Sequence, residues 1–163
     1  AWTMSNLIIG IADMKIGSED DILITYALGS CVGIMLYDKI KKIGGLVHVL
    51  LPDSTTSTKV ENPYKFADLG IEKTVVELEK RGILRANLKA KIAGGAQMFK
   101  TSNTSSNLNI GERNVAATKA ALQKLRIPII AQDVGLDYGR TVKFNLADGS
   151  VTIKSIKSAD KVI

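Results

Sequence analysis

Two residue types that can act together in nucleophilic catalysis each occur once in this chain. Cys31 lies in G-S-C-V-G, and His48 lies 17 positions later in G-G-L-V-H-V-L-L-P. A thiolate is a strong nucleophile, and a nearby imidazole can take the thiol proton or stabilise the thiolate. The same two residues also fit a protein core, as a small apolar side chain and a hydrogen-bonded histidine. Spacing alone leaves both interpretations open.

The predicted strands bring these two residues together. Apolar runs at residues 32 to 38 and 43 to 51 flank the polar turn K-I-K-K, a pattern that predicts an antiparallel hairpin. If residue 38 pairs with residue 43, Gly33 pairs with His48 and Cys31 becomes the diagonal neighbour of the histidine. Cys31, Gly33 and His48 then share one face of the sheet. This register places the thiol within side-chain reach of the imidazole.

The residues before Cys31 favour a tight turn. Gly29 permits unusual dihedral angles, so backbone N–H groups around Ser30 and Cys31 can converge on one point and stabilise an oxyanion. Gly94 and Gly95 follow another predicted strand. The spacing of a phosphate-binding loop is absent there, which favours close packing that lines the site.

Four further polar residues are candidates for the site, and each has a simpler structural interpretation. Thr25 lies on the strand before Cys31, on a face shared with Ala27, and is either a group that orients the imidazole or an ordinary β-branched strand residue. Arg113 and Asn114 in N-I-G-E-R-N lie near a predicted helix start, where polar side chains often cap. Arg140 in D-Y-G-R pairs with a carboxylate or lies on the surface.

The surrounding pattern predicts an α+β fold. Asn62, Pro63 and Gly82 mark the cap, first position and end of one helix, and an Ala-rich helix follows G-E-R-N. The Asp148-Gly149 pair predicts a hairpin turn. We expect a single domain over residues 1–163, built from packed mixed or antiparallel sheets with flanking helices. The remaining predicted strands cover residues 6–13, 22–28, 88–93 and 128–135, and residues 100–109 are expected to form a flexible loop.

Composition narrows the class of protein. A length of 163 residues with 45% apolar residues suffices for one sizeable core. A single cysteine excludes an internal disulfide and a cysteine-rich zinc cluster, and we expect no cofactor or metal. No apolar run approaches the roughly 20 residues of a membrane span, and the start lacks signal-peptide features. We therefore expect a cytoplasmic protein with Met4 as its natural start and residues 1 to 3 left from an expression vector.

The formal net charge of +6 indicates little about function, because the basic residues are spread along the chain. Solvated faces explain this distribution most simply. An acidic protein partner is an alternative. Nucleic-acid binding is a third reading, for which we expect at best weak and salt-dependent association.

Five stretches in this order resemble the chemoreceptor glutamine deamidase family, CheD. They are L-G-S-C-V, G-G-L-V-H-V-L-L-P, K-I-A-G-G-A-Q-M-F, N-I-G-E-R-N and D-V-G-L-D-Y-G-R. The resemblance runs from about residue 7 to about residue 155. It implies that the family's catalytic cysteine, histidine and threonine fall on Cys31, His48 and Thr25.

The resemblance also implies a fold similar to the catalytic domain of deamidating necrotizing toxins, and a function. Such a protein is a protein-glutamine glutaminase that converts receptor glutamines to glutamate, contributes to chemotaxis adaptation and binds the CheC phosphatase of phosphorylated CheY. A rival interpretation is a non-catalytic module that regulates CheC and the receptors. The chain has Gly135-Leu136 where the family usually has two glycines, so we expect an altered loop there.

Overall fold

The computed structural model describes residues 5–55, 57, 59–98 and 109–163. In these residues, two five-stranded mixed sheets stack on each other and two α-helices cover the outer face of one sheet. The strands are β1 (Ser5–Ile8), β2 (Asp13–Gly17), β3 (Asp21–Leu28), β4 (Val32–Asp38), β5 (Ile43–Val49), β6 (Lys89–Gly94), β7 (Ile129–Val134), β8 (Arg140–Asn145), β9 (Val151–Lys154) and β10 (Lys161–Val162); the helices are α1 (Ala67–Lys80) and α2 (Ile110–Lys124). The predicted α+β class with packed sheets and flanking helices is confirmed.

Each sheet mixes both strand directions. The first has the order β1-β3-β8-β9-β10 and the second has the order β2-β5-β4-β6-β7. The β1–β3 and β6–β7 pairs are parallel, and the other pairs are antiparallel. The hairpin of β4 and β5 forms the middle of the second sheet, so its residues are covered on both faces.

Two apolar cores result from the alternation along this hairpin. Val32, Ile34, Val47 and Val49 face the helices, where they pack with apolar side chains of α1 and α2. Side chains of the alternate positions face the first sheet. That second core contains Cys31, Met35, Leu46 and Ala93 from one sheet and Leu23, Leu28, Val142, Phe144, Val151 and Ile153 from the other. The alternation therefore sends Cys31 into the space between the two sheets.

Two predicted elements differ in the structure. The strand predicted over residues 6–13 divides into β1 and β2, which belong to different sheets. The division occurs because Ala12 adopts a left-handed φ of 57° and the Asp13 carboxylate accepts from the Gly10 N–H at 3.3 Å. Asn62 caps a short 3₁₀-helix at Pro63–Lys65, and α1 begins only at Ala67. The loop predicted at residues 100–109 and the expected start at Met4 fall largely outside the described residues.

Candidate active site

The hairpin of β4 and β5 has the predicted register. Gly33 lies directly opposite His48, and Asp38 lies opposite Ile43. Cys31, two residues before Gly33, is therefore the diagonal neighbour of His48 on the face that points toward the first sheet. Because glycine stands opposite His48, no side chain on β4 occupies the space beside the imidazole at that position. The register thus makes Cys31 and His48, each the only residue of its type in the chain, diagonal neighbours on one face of the sheet.

Thr25 lies on β3 and contacts His48 from the first sheet. Its hydroxyl oxygen is 2.8 Å from His48 Nδ1 and 2.8 Å from the carbonyl oxygen of Ile9. The single hydroxyl proton goes to the carbonyl, which cannot donate, so the hydroxyl accepts from Nδ1–H. His48 Nε2 then carries the free lone pair, and it has no hydrogen-bond partner among the described residues. The chain of Ile9, Thr25 and His48 fixes the tautomer that leaves Nε2 as a base.

A β-bulge separates Thr25 from the cysteine loop. Thr25 lies opposite Val142 and Leu28 lies opposite Arg140, so two residues of β3 face one of β8. Ala27 has a φ of 59°, and both bulge residues are exposed. The prediction that Ala27 shares the face of Thr25 is therefore wrong. The extra residue resets the alternation, which turns Thr25 and Leu28 both inward.

Gly94 and Gly95 anchor the cysteine loop from β6. The Gly95 N–H donates to the Cys31 carbonyl at 2.8 Å, and the Ala96 N–H donates to the Gly29 carbonyl at 2.9 Å. Gly94 has a φ of 107°, and a Cβ atom there would lie 2.2 Å from the Cys31 carbonyl oxygen. These glycines therefore pack against the cysteine loop, because only a bare backbone can approach it this closely.

Asn114 holds the middle carbonyl of the same loop. Its Nδ2 donates to the Ser30 carbonyl at 2.9 Å and to the Leu50 carbonyl at 3.0 Å. It is fully buried and does not cap the helix, because Asn109 is the N-cap of α2 and accepts from the Glu112 N–H. Capping was the simpler interpretation from the sequence. The sequence nevertheless indicates a buried Asn114, because Asn114, Thr118 and Leu122 recur at helical spacing and lie on one buried stripe of α2.

Burial shifts the protonation of both candidate reactive groups toward neutrality. Cys31 is 7% exposed and His48 is fully buried. Burial raises the pKa of the Cys31 thiol, and this effect exceeds the opposing effect of its own backbone N–H. Burial lowers the pKa of His48 to about 4. The chain bends at residues 29–31, as the glycine and serine before Cys31 predict, and the thiol in this loop is almost covered.

The other predicted positions lie outside this arrangement. Arg113 is exposed on α2. Arg140 is buried and pairs with Asp133 at 3.1 Å, so its carboxylate interpretation is correct and its surface interpretation is wrong. Leu136 has a left-handed φ of 61° beside Gly135, and its carbonyl accepts from the Gln97 N–H at 2.8 Å. Leucine thus takes up the conformation that glycine would adopt at lower cost.

A metal-binding cluster and a membrane-spanning helix are both absent from the described ranges. No group of three or more His, Cys, Asp or Glu side chains is placed to hold a metal ion in this part of the chain. Within the same residues, no helix combines the length and apolar character needed to cross a membrane.

The fold and this arrangement define a class of protein. It is an α+β sandwich of two sheets. A cysteine just before one strand and a histidine on the next strand lie on the inner face of one sheet, and a threonine of the facing sheet is hydrogen-bonded to the imidazole. The chain belongs to the CheD family. A family model described as CheD chemotactic sensory transduction matches residues 50–155, a span that begins after Thr25, Cys31 and His48.

Relatives extend the match over most of the chain. A protein of Lachnoclostridium phytofermentans is 53% identical over 155 residues, which are 95% of this chain and 96% of the relative. Proteins of Clostridium kluyveri and Clostridium botulinum are each 50% identical with the same coverage. All three are named "Probable chemoreceptor glutamine deamidase CheD". A solved structure of the hypothetical protein YfiH of Bacillus licheniformis aligns at 13% identity and a TM-score of 0.48, covering 84% of this chain and 61% of that one.

Proposed function

We propose that this protein deamidates glutamine side chains on the cytoplasmic helices of chemoreceptors, with Cys31 as nucleophile and His48 as base. One observation carries the proposal. The Thr25 hydroxyl accepts a hydrogen bond from Nδ1–H of His48, which leaves Nε2 as a free base on the same face of the sheet as Cys31. The names of the relatives support the substrate and the reaction. The product is a glutamate on the receptor, which fits a role in chemotaxis adaptation.

The pKa shifts favour a reaction that starts from neutral groups. With the thiol pKa raised and the imidazole pKa at about 4, neither group is charged at neutral pH. His48 Nε2 therefore takes the proton of Cys31 as the sulfur attacks, rather than pairing with a preformed thiolate. A charge separated at this buried place would be costly before the substrate arrives.

The cysteine loop supplies the groups that stabilise the oxyanion. In a trans peptide the N–H points away from the C=O of the same unit. The Gly29 carbonyl accepts from Ala96 and the Ser30 carbonyl accepts from Asn114, so the Ser30 N–H points away from Ala96 and the Cys31 N–H points away from Asn114. Donors fixed in this way stabilise a tetrahedral oxyanion without reorganising during the reaction.

The reaction then proceeds in two halves. Cys31 Sγ attacks the carboxamide carbon of glutamine while Nε2 takes the thiol proton, and the carbonyl oxygen becomes the oxyanion. The protonated Nε2 gives its proton to the leaving nitrogen, so ammonia departs and a thioester remains. Nε2 next takes a proton from water, whose oxygen attacks the thioester and yields glutamate. The thiolate recovers the proton from the imidazolium.

Exposed apolar side chains near the loop fit a protein substrate. Tyr26 in the bulge is 51% exposed, and Met98 lies against Gly29 and is 45% exposed. Such side chains supply contact area for a helix face. The family resemblance adds the proposal that the CheC phosphatase also binds this protein.

The direct test is mass spectrometry of a receptor cytoplasmic fragment incubated with this protein, with ammonia measured in the same samples. Wild type is expected to convert particular glutamines to glutamate with one ammonia for each. Cys31→Ala is expected to abolish both signals, and Thr118→Val serves as a control in α2. Wild-type rates in Cys31→Ala would exclude Cys31 as the nucleophile, and a wild type that forms neither glutamate nor ammonia would favour the rival non-catalytic module.

A further inference from the structure

We propose that Asn114 is a positioning residue that sets the geometry between Cys31 and His48. The inference rests on the proposed function, because it concerns the same two reactive groups. Asn114 Nδ2 bonds the carbonyl just before Cys31 and the carbonyl two residues after His48. One amide therefore links the nucleophile's loop to the end of the strand that carries the base.

The orientation of this amide is unambiguous. Both partners, Ser30 and Leu50, present carbonyl oxygens, which can only accept hydrogen bonds. Turning the amide over would place Oδ1 against two oxygens, so the NH₂ group must occupy this side. Its two protons match its two acceptors. No other side chain of the same size carries two donors on one atom in this position.

The bond to Ser30 sets the direction of the Cys31 N–H. These two groups belong to one peptide unit, in which the N–H points opposite to the C=O. Asn114 therefore pulls the carbonyl toward α2 and turns the Cys31 N–H toward the side on which the oxyanion forms. The bond to Leu50 simultaneously holds the end of β5, whose His48 provides the base.

Stability alone does not explain an asparagine here. Asn114 is fully buried, and its Oδ1 has no hydrogen-bond partner among the described residues. A buried polar atom without a partner destabilises the fold, and an apolar side chain would avoid this penalty. Leucine has the same branching and would remove this penalty, but it would leave the Ser30 and Leu50 carbonyls without this donor. The amide is therefore retained for the two bonds it makes to the loops of the site.

The first experiment compares Asn114→Leu with wild type in the deamidation of a receptor cytoplasmic fragment. We expect kcat to fall about 100-fold with KM changed less than about threefold, because the donors are misaligned while the docking surface is intact. We expect the urea midpoint to fall, because the Ser30 and Leu50 carbonyls lose this donor, so kcat is compared without urea where circular dichroism shows both proteins folded; a merely structural residue would leave the kcat of the folded protein unchanged. Thr118→Val is the matched control, since it removes a buried hydroxyl one turn further along α2.

A second variant, Asn114→Asp, keeps the inference testable if Asn114→Leu does not fold. Asn114→Asp keeps the shape and replaces the donors with acceptors, so kcat should also fall at neutral pH. The activity should recover several-fold near pH 5, because the protonated carboxyl regains one donor while His48 stays neutral. The inference is overturned if either folded variant keeps kcat within about threefold of wild type, since misalignment of the donors predicts a far larger loss.

Alkylation of Cys31 by iodoacetamide separates this inference from the proposed function. An inactive wild type on every receptor fragment would defeat the proposed function, yet alkylation would still report the alignment of thiol and base. We expect Asn114→Leu to slow alkylation about tenfold, since deprotonation by Nε2 depends on that alignment. A rate equal to or faster than that of wild type would overturn the inference.

Discussion

Two buried polar clusters flank the same sandwich, and they use their hydrogen-bonding groups in opposite ways. The histidine cluster consists of Thr25 and His48, and the arginine cluster consists of Asp133, Tyr138 and Arg140. The first contains no charged side chain at neutral pH, because the pKa of His48 lies at about 4. The second contains an ion pair. Both include a buried nitrogen without a partner in the described residues, His48 Nε2 and Arg140 Nη2.

These two nitrogens differ in whether they can accept a proton. Arg140 donates to Asp133 at 3.1 Å and to the Tyr138 carbonyl at 3.4 Å, and its guanidinium lies 4.7 Å from the Tyr138 ring centre. A guanidinium keeps its protons and cannot accept one. Nε2 of a neutral imidazole can accept a proton, and it shares a face with a thiol. A buried unpartnered nitrogen therefore indicates chemistry only where it can exchange protons beside a reactive group.

Removing the imidazole from the histidine cluster should have the largest effect, which is a loss of kcat. His48→Gln is expected to lower kcat about 1000-fold, because general acid–base catalysis is lost in both halves of the reaction. The measurement is steady-state kinetics of ammonia release from a receptor fragment. A loss below about tenfold would mean that Nε2 is not the base.

The same variant should change how stability depends on pH. The pKa of His48 falls from 6.5 to about 4 on folding, so its contribution is complete above about pH 6.5 and is lost as the pH falls toward 4. The loss amounts to roughly 3 kcal/mol, from about 1.4 kcal/mol per pKa unit. Urea titrations of wild type and His48→Gln should diverge in this window. Parallel curves would contradict a buried neutral histidine.

Breaking the arginine cluster should cost stability and leave the chemistry largely intact. Among the described residues, Arg140→Met leaves the Asp133 carboxylate with only Lys161 at 3.5 Å, and we expect a loss of about 3 kcal/mol in the free energy of unfolding. Adding Asp133→Asn should restore part of that loss, because the uncompensated charge is removed. We expect kcat to fall less than about tenfold, since no proton passes through the guanidinium. A larger fall in kcat in the folded variant would erase the distinction between the clusters.

Loss of the threonine hydroxyl should have an intermediate effect. Thr25→Val removes the acceptor of His48 Nδ1–H, so the imidazole can turn or change tautomer, and we expect kcat to fall roughly 30-fold. Thr25→Ser retains the hydroxyl and should remain within about threefold of wild type. Kinetics of the two variants, measured side by side, separate the hydrogen bond from packing. Equal losses in both would assign the effect to packing.

We expect the smallest effect on stability from a change at Leu136, which lies beside the arginine cluster. Leu136→Gly relieves a left-handed backbone at a residue that is 60% exposed, and we expect a gain of about 0.5 kcal/mol after the flexibility of unfolded glycine is counted. Urea unfolding checks the sign. A destabilised variant would mean that the leucine side chain makes contacts that outweigh the backbone strain.

The sequence predicted the parts of the site that depend on local pattern. The four-residue turn after β4 determines the register, and the period of two then places Cys31 and His48 on one face. The glycines after β6 were expected at the site from their position alone. The roles of Thr25, Cys31 and His48 in catalysis remain predictions that rest on the resemblance and the geometry.

The remaining features depend on contacts between distant segments. The bulge at Ala27 forms against β8, and at the break the Ala12 N–H donates to the distant His48 carbonyl at 2.9 Å. The Ile9 carbonyl that anchors Thr25 is a backbone group, which carries no signal in the sequence. Asn114 bonds carbonyls 84 and 64 residues away, so its role could not be separated from capping before the helix was placed.

The proposed mechanism requires a His48 that is neutral, protonated on Nδ1 and free at Nε2 beside a neutral thiol. Nitrogen-15 NMR tests this directly, because the chain has only one imidazole. The account predicts a neutral Nδ1–H tautomer throughout the neutral range, with titration at a pKa of about 4. An imidazolium signal at neutral pH would instead indicate a preformed ion pair with Cys31. That signal, or a neutral tautomer protonated on Nε2, would contradict the account.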